Sequence, residues 1–193
     1  MNPINTVRTP AVVLPDENID TDRIIPARFL TTTTSDGLGQ HAFCDWRYAP
    51  DGSPRPEFPF NDPRATGAQI LIAGRNFACG SSREHAAWAL YDLGVRVVIS
   101  TEIADIFRAN AARNGILPIV VPEREHQHLL SAPFAEVAVD LEACTITPAG
   151  AEPFTFTIDA FMRECLLAGV DHLGYLLSRM DEIEAFDARG GAA

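Results

Sequence analysis

The sequence has few cysteines, and none of them are closely spaced. Cys44, Cys79, Cys144 and Cys165 are separated by long segments, and no C-x-x-C pair occurs. Zinc ribbons and ferredoxin-type clusters need closer pairs, so the sequence excludes both. A disulfide framework is not expected in a chain of this size without a signal sequence. We therefore expect four free thiols and no metal held by this chain.

Long apolar runs and basic residues are also scarce. No stretch approaches the length of a membrane span, and residues 1–20 lack a basic-then-apolar signal. The chain has 26 acidic and 15 basic residues, a formal net charge of −11. This acidity argues against nucleic acid and anionic membranes as partners, but a local pocket can still bind a small anion. The sequence predicts a soluble, cytoplasmic protein.

The composition predicts one domain with an α/β core. The chain has 193 residues, 47% of them apolar, with no internal repeat and no linker. In the middle, short apolar runs alternate with segments of helical periodicity, which is typical of parallel α/β packing. The predicted strands are 11–14, 68–74, 95–100 and 116–121, and the predicted helices are 81–94 and 102–115.

The last third has a different pattern. Residues 137–142, 144–148 and 154–159 are predicted to form antiparallel strands, with Phe154, Phe156 and Ile158 on one buried face. Asp159 and Asp171 are predicted to cap two helices that follow, 160–169 and 172–180. The tail, 188–193, is predicted to be disordered.

Three other segments are predicted to lack regular structure. Residues 16–30 mix acidic and apolar residues with a proline, which indicates an ordered loop. Residues 31–40 are polar and contain two glycines, so we expect a mobile loop. Residues from about 50 to 66 are rich in proline, which predicts an extended excursion over the surface.

The segment "GSSREHAAWAL" (80–90) has two interpretations. Ser81-x-x-Glu84 matches a capping box, which needs no function. Alternatively, the helix start is an anion site, where Gly80 allows close approach and Arg83 binds a carboxylate. Donors aimed at a serine oxygen there would stabilise the alkoxide, so Ser81 would be a general base.

Other motifs give weaker indications of function. Ser81 stands where a Walker loop needs lysine, and the hydrolase elbow G-x-S-x-G is absent. Cys79 is interpreted as a small buried residue at a strand end rather than as a nucleophile paired with His85. His126 and His128 lie in a polar stretch and are interpreted as solvated, since metal binding needs a third ligand.

Several separated motifs resemble one family. "GSSREHAAWAL" and the upstream "NIDTDRIIPARFL" are similar to 3-isopropylmalate dehydratase (isopropylmalate isomerase) small subunits, in the aconitase superfamily. "HAFCDWRY" (41–48), "ADIFRANAARNGILPI" (104–119) and "FTIDAF" (156–161) extend the resemblance over nearly the whole chain. The resemblance implies a single swivelling β/β/α domain over 1–193, like aconitase's mobile C-terminal domain, with mixed parallel and antiparallel strands and flanking helices.

The resemblance also implies a reaction and a partner. A large subunit would carry a [4Fe–4S] cluster and form a heterodimer with this chain, which would be inactive alone. The implied hydro-lyase reaction of leucine biosynthesis interconverts 2-isopropylmalate and 3-isopropylmalate by dehydration and rehydration. By motif match, Ser81 is the base that takes a carbon-bound proton, and Ser82 and Arg83 bind substrate. Thr21 and Asp22, next to Asp20, match the acidic motif near the site.

The substrate is inferred from the next positions in the same motif. Arg28 matches a carboxylate-binding arginine. The residues after it in this family are interpreted as discriminating substrates, and here they are Phe29, Leu30, Thr31 and Thr32, with no arginine. An apolar pocket favours an isopropyl group over the charged arm of homoaconitate. Phe29 and Leu30 would equally serve as packing residues.

Alternative functions remain at this point. Related hydro-lyase subunits include those of homoaconitase, citraconate hydratase and dimethylmalate hydratase. Non-catalytic alternatives are an anion- or nucleotide-binding α/β module, and a structural or regulatory subunit in which Ser81 only caps a helix.

Overall fold

The structure, a computed structural model, describes residues 1–189 and contains a seven-stranded mixed sheet. The strand order is β4-β3-β2-β1-β5-β6-β7. Strands β1 to β4 pair in parallel, and β1, β5, β6 and β7 pair antiparallel. The strands are β1 (Thr6–Leu14), β2 (Ile70–Ala73), β3 (Val97–Ser100), β4 (Leu117–Val120), β5 (Glu136–Asp140), β6 (Thr145–Pro148) and β7 (Phe154–Thr155).

Helices cover both faces of this sheet. They are α1 (Thr21–Ile24), α2 (Cys44–Arg47), α3 (Glu84–Leu93), α4 (Asp105–Arg113), α5 (Glu123–Leu130), α6 (Ala160–Ala168), α7 (His172–Leu177) and α8 (Met180–Ala188). Short 3₁₀ helices occupy Ala27–Phe29, Gly39–His41, Pro59–Asn61 and Pro63–Ala65. The predicted mixed fold with flanking helices is confirmed.

Strand β1 joins the two halves of the sheet. Its first five residues, 6–10, pair with β5, whereas its last four, 11–14, pair with β2. The sequence predicted only 11–14, because the earlier residues include Arg8 and Pro10 and do not form an apolar run. The carboxyl-terminal end of β1 therefore belongs to the parallel half of the sheet, and residues 15–24 follow directly from that end.

The core has two parts, one on each face of the sheet. Side chains along β2 alternate between them: Leu71 and Ala73 pack with α3 and α4, while Ile70 and Ile72 pack with the side of α5 and α6. All four are essentially inaccessible to solvent. Burial on both faces explains why the parallel strands are continuous apolar runs.

The last third differs from the prediction in detail. Strand β7 has two residues rather than six, although Phe154, Phe156 and Ile158 do pack against one core cluster. The caps are confirmed, since Asp159 accepts from Met162 N at 2.9 Å and Asp171 accepts from Gly174 N at 2.7 Å. The helix predicted over 172–180 ends at residue 177, and α8 follows. The tail predicted to be disordered was 188–193: its first residue, Ala188, instead ends α8, and 190–193 lie outside the described residues.

The proline-rich segment is more compact than predicted. Within residues 50–66 the structure has two 3₁₀ helices and no α-helix, which agrees with the proline density. However, Phe58 is buried and lies 5.7 Å from Phe43, centroid to centroid. The segment therefore covers the end of the core rather than only extending over the surface.

Gly74, immediately after β2, is expected to tolerate no side chain. A Cβ there would overlap the backbone carbonyls of Pro15 and Asp16, the former at 2.5 Å. We expect Gly74→Ala to lower the free energy of unfolding by about 3 kcal/mol, because two backbone segments would have to separate. Gly52→Ala is the control: its Cβ meets nothing within 4 Å, and its positive φ costs only about 1 kcal/mol. Equal losses in urea melts would contradict this packing.

Candidate functional site

The loops that follow the parallel strands β1, β2 and β3 meet at one edge of the sheet. Isolated β-bridges, Asp20 to Cys79 and Phe77 to Ile103, continue the parallel pairing beyond the strands. Crevices outside the carboxyl ends of parallel strands are the usual ligand sites of open α/β sheets. This arrangement brings the predicted motifs around residues 20–22 and 80–83 together, although about sixty residues separate them in the sequence.

The backbone around Ser81 is held in place by Thr21. The Thr21 amide donates to Cys79 O at 3.0 Å, and its hydroxyl donates to Ser81 O at 3.0 Å. Gly80 has φ of +89°, a conformation that an L-residue adopts only with strain. Thr21 is itself buried, so it acts as a fixed support rather than as an exposed ligand group. Ser81 and Ser82 are both exposed.

The capping box is not formed. Helix α3 begins at Glu84, with Arg83 at the N-cap position and no side-chain cap. The Glu84 carboxylate accepts from Asn114 Nδ2 at 3.0 Å instead of reaching back to Ser81. Within residues 1–189 the Ser81 hydroxyl makes no hydrogen bond that would occupy it. The interpretation of Ser81 as only a helix cap is therefore wrong.

Ser81, Ser82 and Arg83 line a cavity of about 270 Å³ together with Thr21. Its opposite wall is the start of α4, residues 104–107. This first turn has no side-chain cap, so its backbone N–H groups are available to an anion, and the helix dipole favours negative charge there. The sequence motifs did not predict this wall. The strand order could have predicted it: β3 runs parallel to β2, so the loop after β3 leaves the sheet at the same edge as the loop that carries Ser81.

Arg83 is oriented by Asp22. Its Nη1 forms an ion pair with the Asp22 Oδ1 atom, and the Arg83 side chain is 18% exposed against 54% for Asp22. An exposed pair of this kind adds only about 0–1 kcal/mol to stability. Its consequence is geometric, since it fixes the guanidinium at the edge of the Ser81 cavity.

Arg28 and Phe29 lie apart from this cavity. They line a second cavity of about 690 Å³, where Arg28 Nη1 donates to Asp45 Oδ2 at 3.2 Å. The hydrogen bond from Arg28 holds the pKa of the Asp45 carboxyl below its ordinary value. Phe29 stacks on His41 with ring centroids 4.0 Å apart, and Leu30 packs partly buried against the core. The predicted site residues therefore form two groups in this structure.

Two predictions about individual side chains are wrong. Cys79 is half-buried rather than buried, because it lies in the bridge to Asp20 at the edge of the sheet. His126 is buried rather than solvated: it is 2% exposed, and its Nε2 lies 2.8 Å from Ala73 O. Helix α5 turns this position toward β2, while His128 faces solvent as predicted.

The four thiols are expected to differ in reactivity. Cys165 is buried in α6, and burial, followed by the nearby Glu164 charge, raises the pKa of its thiol. Because the thiolate is the reactive form, a raised pKa slows alkylation further. At pH 8 we expect iodoacetamide to modify Cys44, Cys79 and Cys144 at least about ten times faster than Cys165. Peptide mapping measures this, with unfolded protein as the control; equal rates in the folded protein would contradict it.

Residues 1–189 contain neither a membrane-spanning helix nor a metal site. None of the helices there combines the length and apolar character that crossing a bilayer requires. Nor do three or more His, Cys, Asp or Glu side chains converge as a metal site would need. Cys44 lies in α2 and Cys165 in α6, while Cys79 and Cys144 lie in two different loops, so these four residues make no cluster-binding set.

Comparison with known proteins gives one consistent result. A family profile described as "Aconitase C-terminal domain" matches residues 1–124. The 3-isopropylmalate dehydratase small subunit of Anaeromyxobacter dehalogenans (strain 2CP-C) is 58% identical over 187 residues, covering 97% of this chain and 98% of that protein. The small subunit of the same name from Chloroflexus aurantiacus (strain J-10-fl) is 48% identical over 192 residues, 97% of this chain and 96% of that protein.

A solved structure shows the same similarity. The crystal structure of 3-isopropylmalate dehydratase from Methanocaldococcus jannaschii superimposes with a TM-score of 0.72 at 28% sequence identity. The match covers 94% of this chain and 99% of that one.

Proposed function

Since this chain belongs to the aconitase C-terminal domain family and, within it, to the 3-isopropylmalate dehydratase small subunits, we propose that it supplies the catalytic base and substrate contacts of that hydro-lyase. The reaction interconverts 2-isopropylmalate and 3-isopropylmalate by loss and return of water in leucine biosynthesis. The proposal rests on the cavity that Ser81 shares with Arg83 and the start of α4. There the Ser81 hydroxyl has no hydrogen-bond partner within residues 1–189, and the first turn of α4 has no side-chain cap.

Ser81 is the proposed base. A serine hydroxyl ionises far above neutral pH, so its alkoxide must be stabilised by several donors, at about 1.4 kcal/mol for each pKa unit. The free N–H groups at the start of α4 and the guanidinium of Arg83 are candidates for this role. With these donors in place, the Ser81 Oγ atom takes the proton from the carbon next to a substrate carboxylate, and returns it in the reverse step.

Arg83 and Ser82 are the proposed carboxylate contacts. The guanidinium fork matches the two oxygens of a carboxylate, and Asp22 holds the fork in position. Thr21 supports the loop from behind through its bond to Ser81 O. The substrate carboxylate is thus held while the hydroxyl of Ser81 faces the adjacent carbon.

The iron–sulfur cluster of the family is proposed to belong to a large subunit. No residues of this chain, within 1–189, fit it. When bound, such a cluster supplies Lewis-acid chemistry at the substrate hydroxyl. We propose a cytoplasmic heterodimer in which this chain closes its cavity against the cluster-bearing subunit.

Substrate selection is proposed to involve Phe29, Leu30, Thr31 and Thr32. In the structure none of the four lines the Ser81 cavity, and Arg28 is bound to Asp45. Their participation therefore requires movement of the neighbouring loop, 31–40. This loop is attached at Thr32, whose carbonyl lies 3.1 Å from His85 Nε2, and at Gly39, whose amide donates to Asp92 at 2.7 Å. In the structure the part between them runs along α3, with Ser35 in a cavity beside Trp88 and Tyr91. We propose that this part moves over the substrate as a lid.

The lid is expected to be mobile until the site is complete. In hydrogen exchange of the isolated chain, residues 33–37 should exchange at least about ten times faster than β2, since lids belong to the less stable parts of a fold. Adding the large subunit and 2-isopropylmalate should slow that exchange. Full protection of 31–40 in the isolated chain would contradict the lid.

The function is tested by a substrate panel. The chain is purified with a large subunit under anaerobic conditions and assayed with 2-isopropylmalate, citraconate, dimethylmalate and homoaconitate. We expect the highest kcat/KM with 2-isopropylmalate. A higher value with any of the others would assign the chain to a related hydro-lyase.

A further inference from the structure

The last two helices each expose large apolar side chains. Leu173 is 64% exposed, Leu177 59% and Phe186 58%, which is unusual for large apolar side chains. Spacing by three and four residues places such side chains on one face. Exposed apolar patches of this extent mark interaction sites. We call this set the C-terminal stripe; it comprises Leu173, Leu176, Leu177, Met180, Ile183 and Phe186.

The helices that carry the stripe receive little support from the domain. No residue from 171 to 189 is buried. Helices α7 and α8 have six and nine residues, too few to be stable alone in water. Two side chains of α7 attach it to α6: Tyr175 donates to Glu164 at 2.7 Å and packs edge-on against Phe161 at 4.9 Å, and the His172 ring also lies 4.9 Å from Phe161. A segment of this kind needs a partner surface to bury its apolar face.

Charge argues against a second copy of this chain as that partner. The segment from 171 to 189 has five acidic residues and two arginines, and one arginine, Arg179, is paired with Glu182 at 2.8 Å. A two-fold dimer through the stripe would bring these acidic flanks together in a chain whose net charge is already −11. The acidic residues are Asp171, Asp181, Glu182, Glu184 and Asp187. A surface complementary to this segment would be apolar with a basic rim.

The stripe begins far from the chemistry. Gly169, Val170, Asp171 and Gly174, at the start of α7, line a separate cavity with Ser35 and with Trp88, Tyr91 and Arg113 of α3 and α4. In a parallel α/β unit the helices run back toward the amino ends of the strands, so this cavity lies at the edge opposite Ser81. Contacts made by the stripe can therefore stabilise a complex without touching the reacting groups.

We infer that the C-terminal stripe docks into an apolar, basic-rimmed groove on the large subunit and anchors the heterodimer away from the active site. This inference rests on the partner assigned under the proposed function. It separates two tasks: the Ser81 edge carries the chemistry, and α7 and α8 hold the partner.

The test replaces two central stripe residues. Leu176→Asp combined with Leu177→Asp, in the full chain, should raise the Kd for the large subunit by at least about 100-fold in calorimetric titration without substrate. The value of kcat at saturating large subunit should stay within about twofold. Ala132→Asp, an exposed alanine outside the stripe, is the matched control and should leave both unchanged. Circular dichroism and Tm check that the double variant folds. We expect it to fold because both replaced side chains are exposed.

Three results would overturn the inference. One is an unchanged Kd in a folded double variant. Another is a loss of kcat at saturating partner as large as the loss of affinity. The third is dimerisation of the wild-type chain at micromolar concentration, seen in sedimentation and abolished by the double variant, which would assign the stripe to a second copy. A tight wild-type complex that fails to turn over 2-isopropylmalate would contradict the proposed function and leave the stripe's role standing.

Discussion

Replacing Ser81 with alanine is expected to abolish nearly all turnover of the assembled enzyme. We expect kcat to fall by roughly 10²- to 10⁴-fold, which is the usual contribution of a positioned acid–base group. The KM for 2-isopropylmalate should change much less, because Arg83 and the start of α4 remain in place. Steady-state kinetics with the large subunit, under anaerobic conditions, measures both constants.

The structure also predicts that Ser81→Ala folds normally. Ser81 is exposed, and it is the carbonyl of this residue, not its hydroxyl, that accepts the bond from Thr21. The Tm should therefore stay close to that of the wild type. Ser131→Ala is the control, since it removes an exposed serine hydroxyl that, within residues 1–189, donates to His128 O and lines neither cavity described above. A Ser81→Ala enzyme with near-normal kcat would remove this residue as the base.

Replacing Arg83 with lysine is expected to weaken substrate binding. Lysine keeps the charge but loses the fork that binds two carboxylate oxygens. Loss of charge-assisted hydrogen bonds of this kind corresponds to a roughly 10- to 100-fold rise in KM. Asp22 would keep an opposite charge to pair with, so the loop should retain its position.

A second arginine gives the matched control for this experiment. Arg64 also pairs with an aspartate, Asp62, but its side chain is 68% exposed and lies in the proline-rich segment. Arg64→Lys should leave KM and kcat unchanged. If Arg83→Lys behaves in the same way, the proposed carboxylate contact is wrong.

Sequence reasoning located the parallel core because its signals are local. The apolar runs of β2, β3 and β4 and the helical periodicity of α3 and α4 each lie within a few residues. Buried parallel strands have no polar face, so their boundaries are marked by composition alone. Strand β1 was only half predicted, because residues 6–10 are held by pairing with β5, more than a hundred residues later.

The site was predicted in its motifs but not in its geometry. Residues 20–22 and 80–83 were each recognised; in the structure Thr21 lines the same cavity as residues 80–83, and Asp22 pairs with Arg83. The wall formed by the start of α4 was missed, because its proximity depends on strand order. Of the two interpretations of Ser81, the capping box fits the spacing to Glu84, but in the structure the Glu84 carboxylate accepts a hydrogen bond from Asn114 instead.

Residues 28–30 show a further limit of motif reasoning. They follow the acidic motif closely in sequence, yet the 3₁₀ turn over Ala27–Phe29 directs Arg28 and Phe29 to another cavity. Neighbouring positions in a motif need not share a site once the backbone turns between them. Arg28 and Phe29 reach the substrate only if the lid moves, and the hydrogen-exchange experiment on residues 33–37 tests that movement.

Reconstitution tests the central claim most directly: this chain holds the base of an active site that a second, cluster-bearing subunit completes. Each subunit is assayed alone and then together with 2-isopropylmalate under anaerobic conditions, using wild-type, Ser81→Ala and Ser131→Ala chains. We predict turnover only in the mixtures that contain Ser81. Turnover by the large subunit alone, or an equal rate in the mixture with Ser81→Ala, would contradict it.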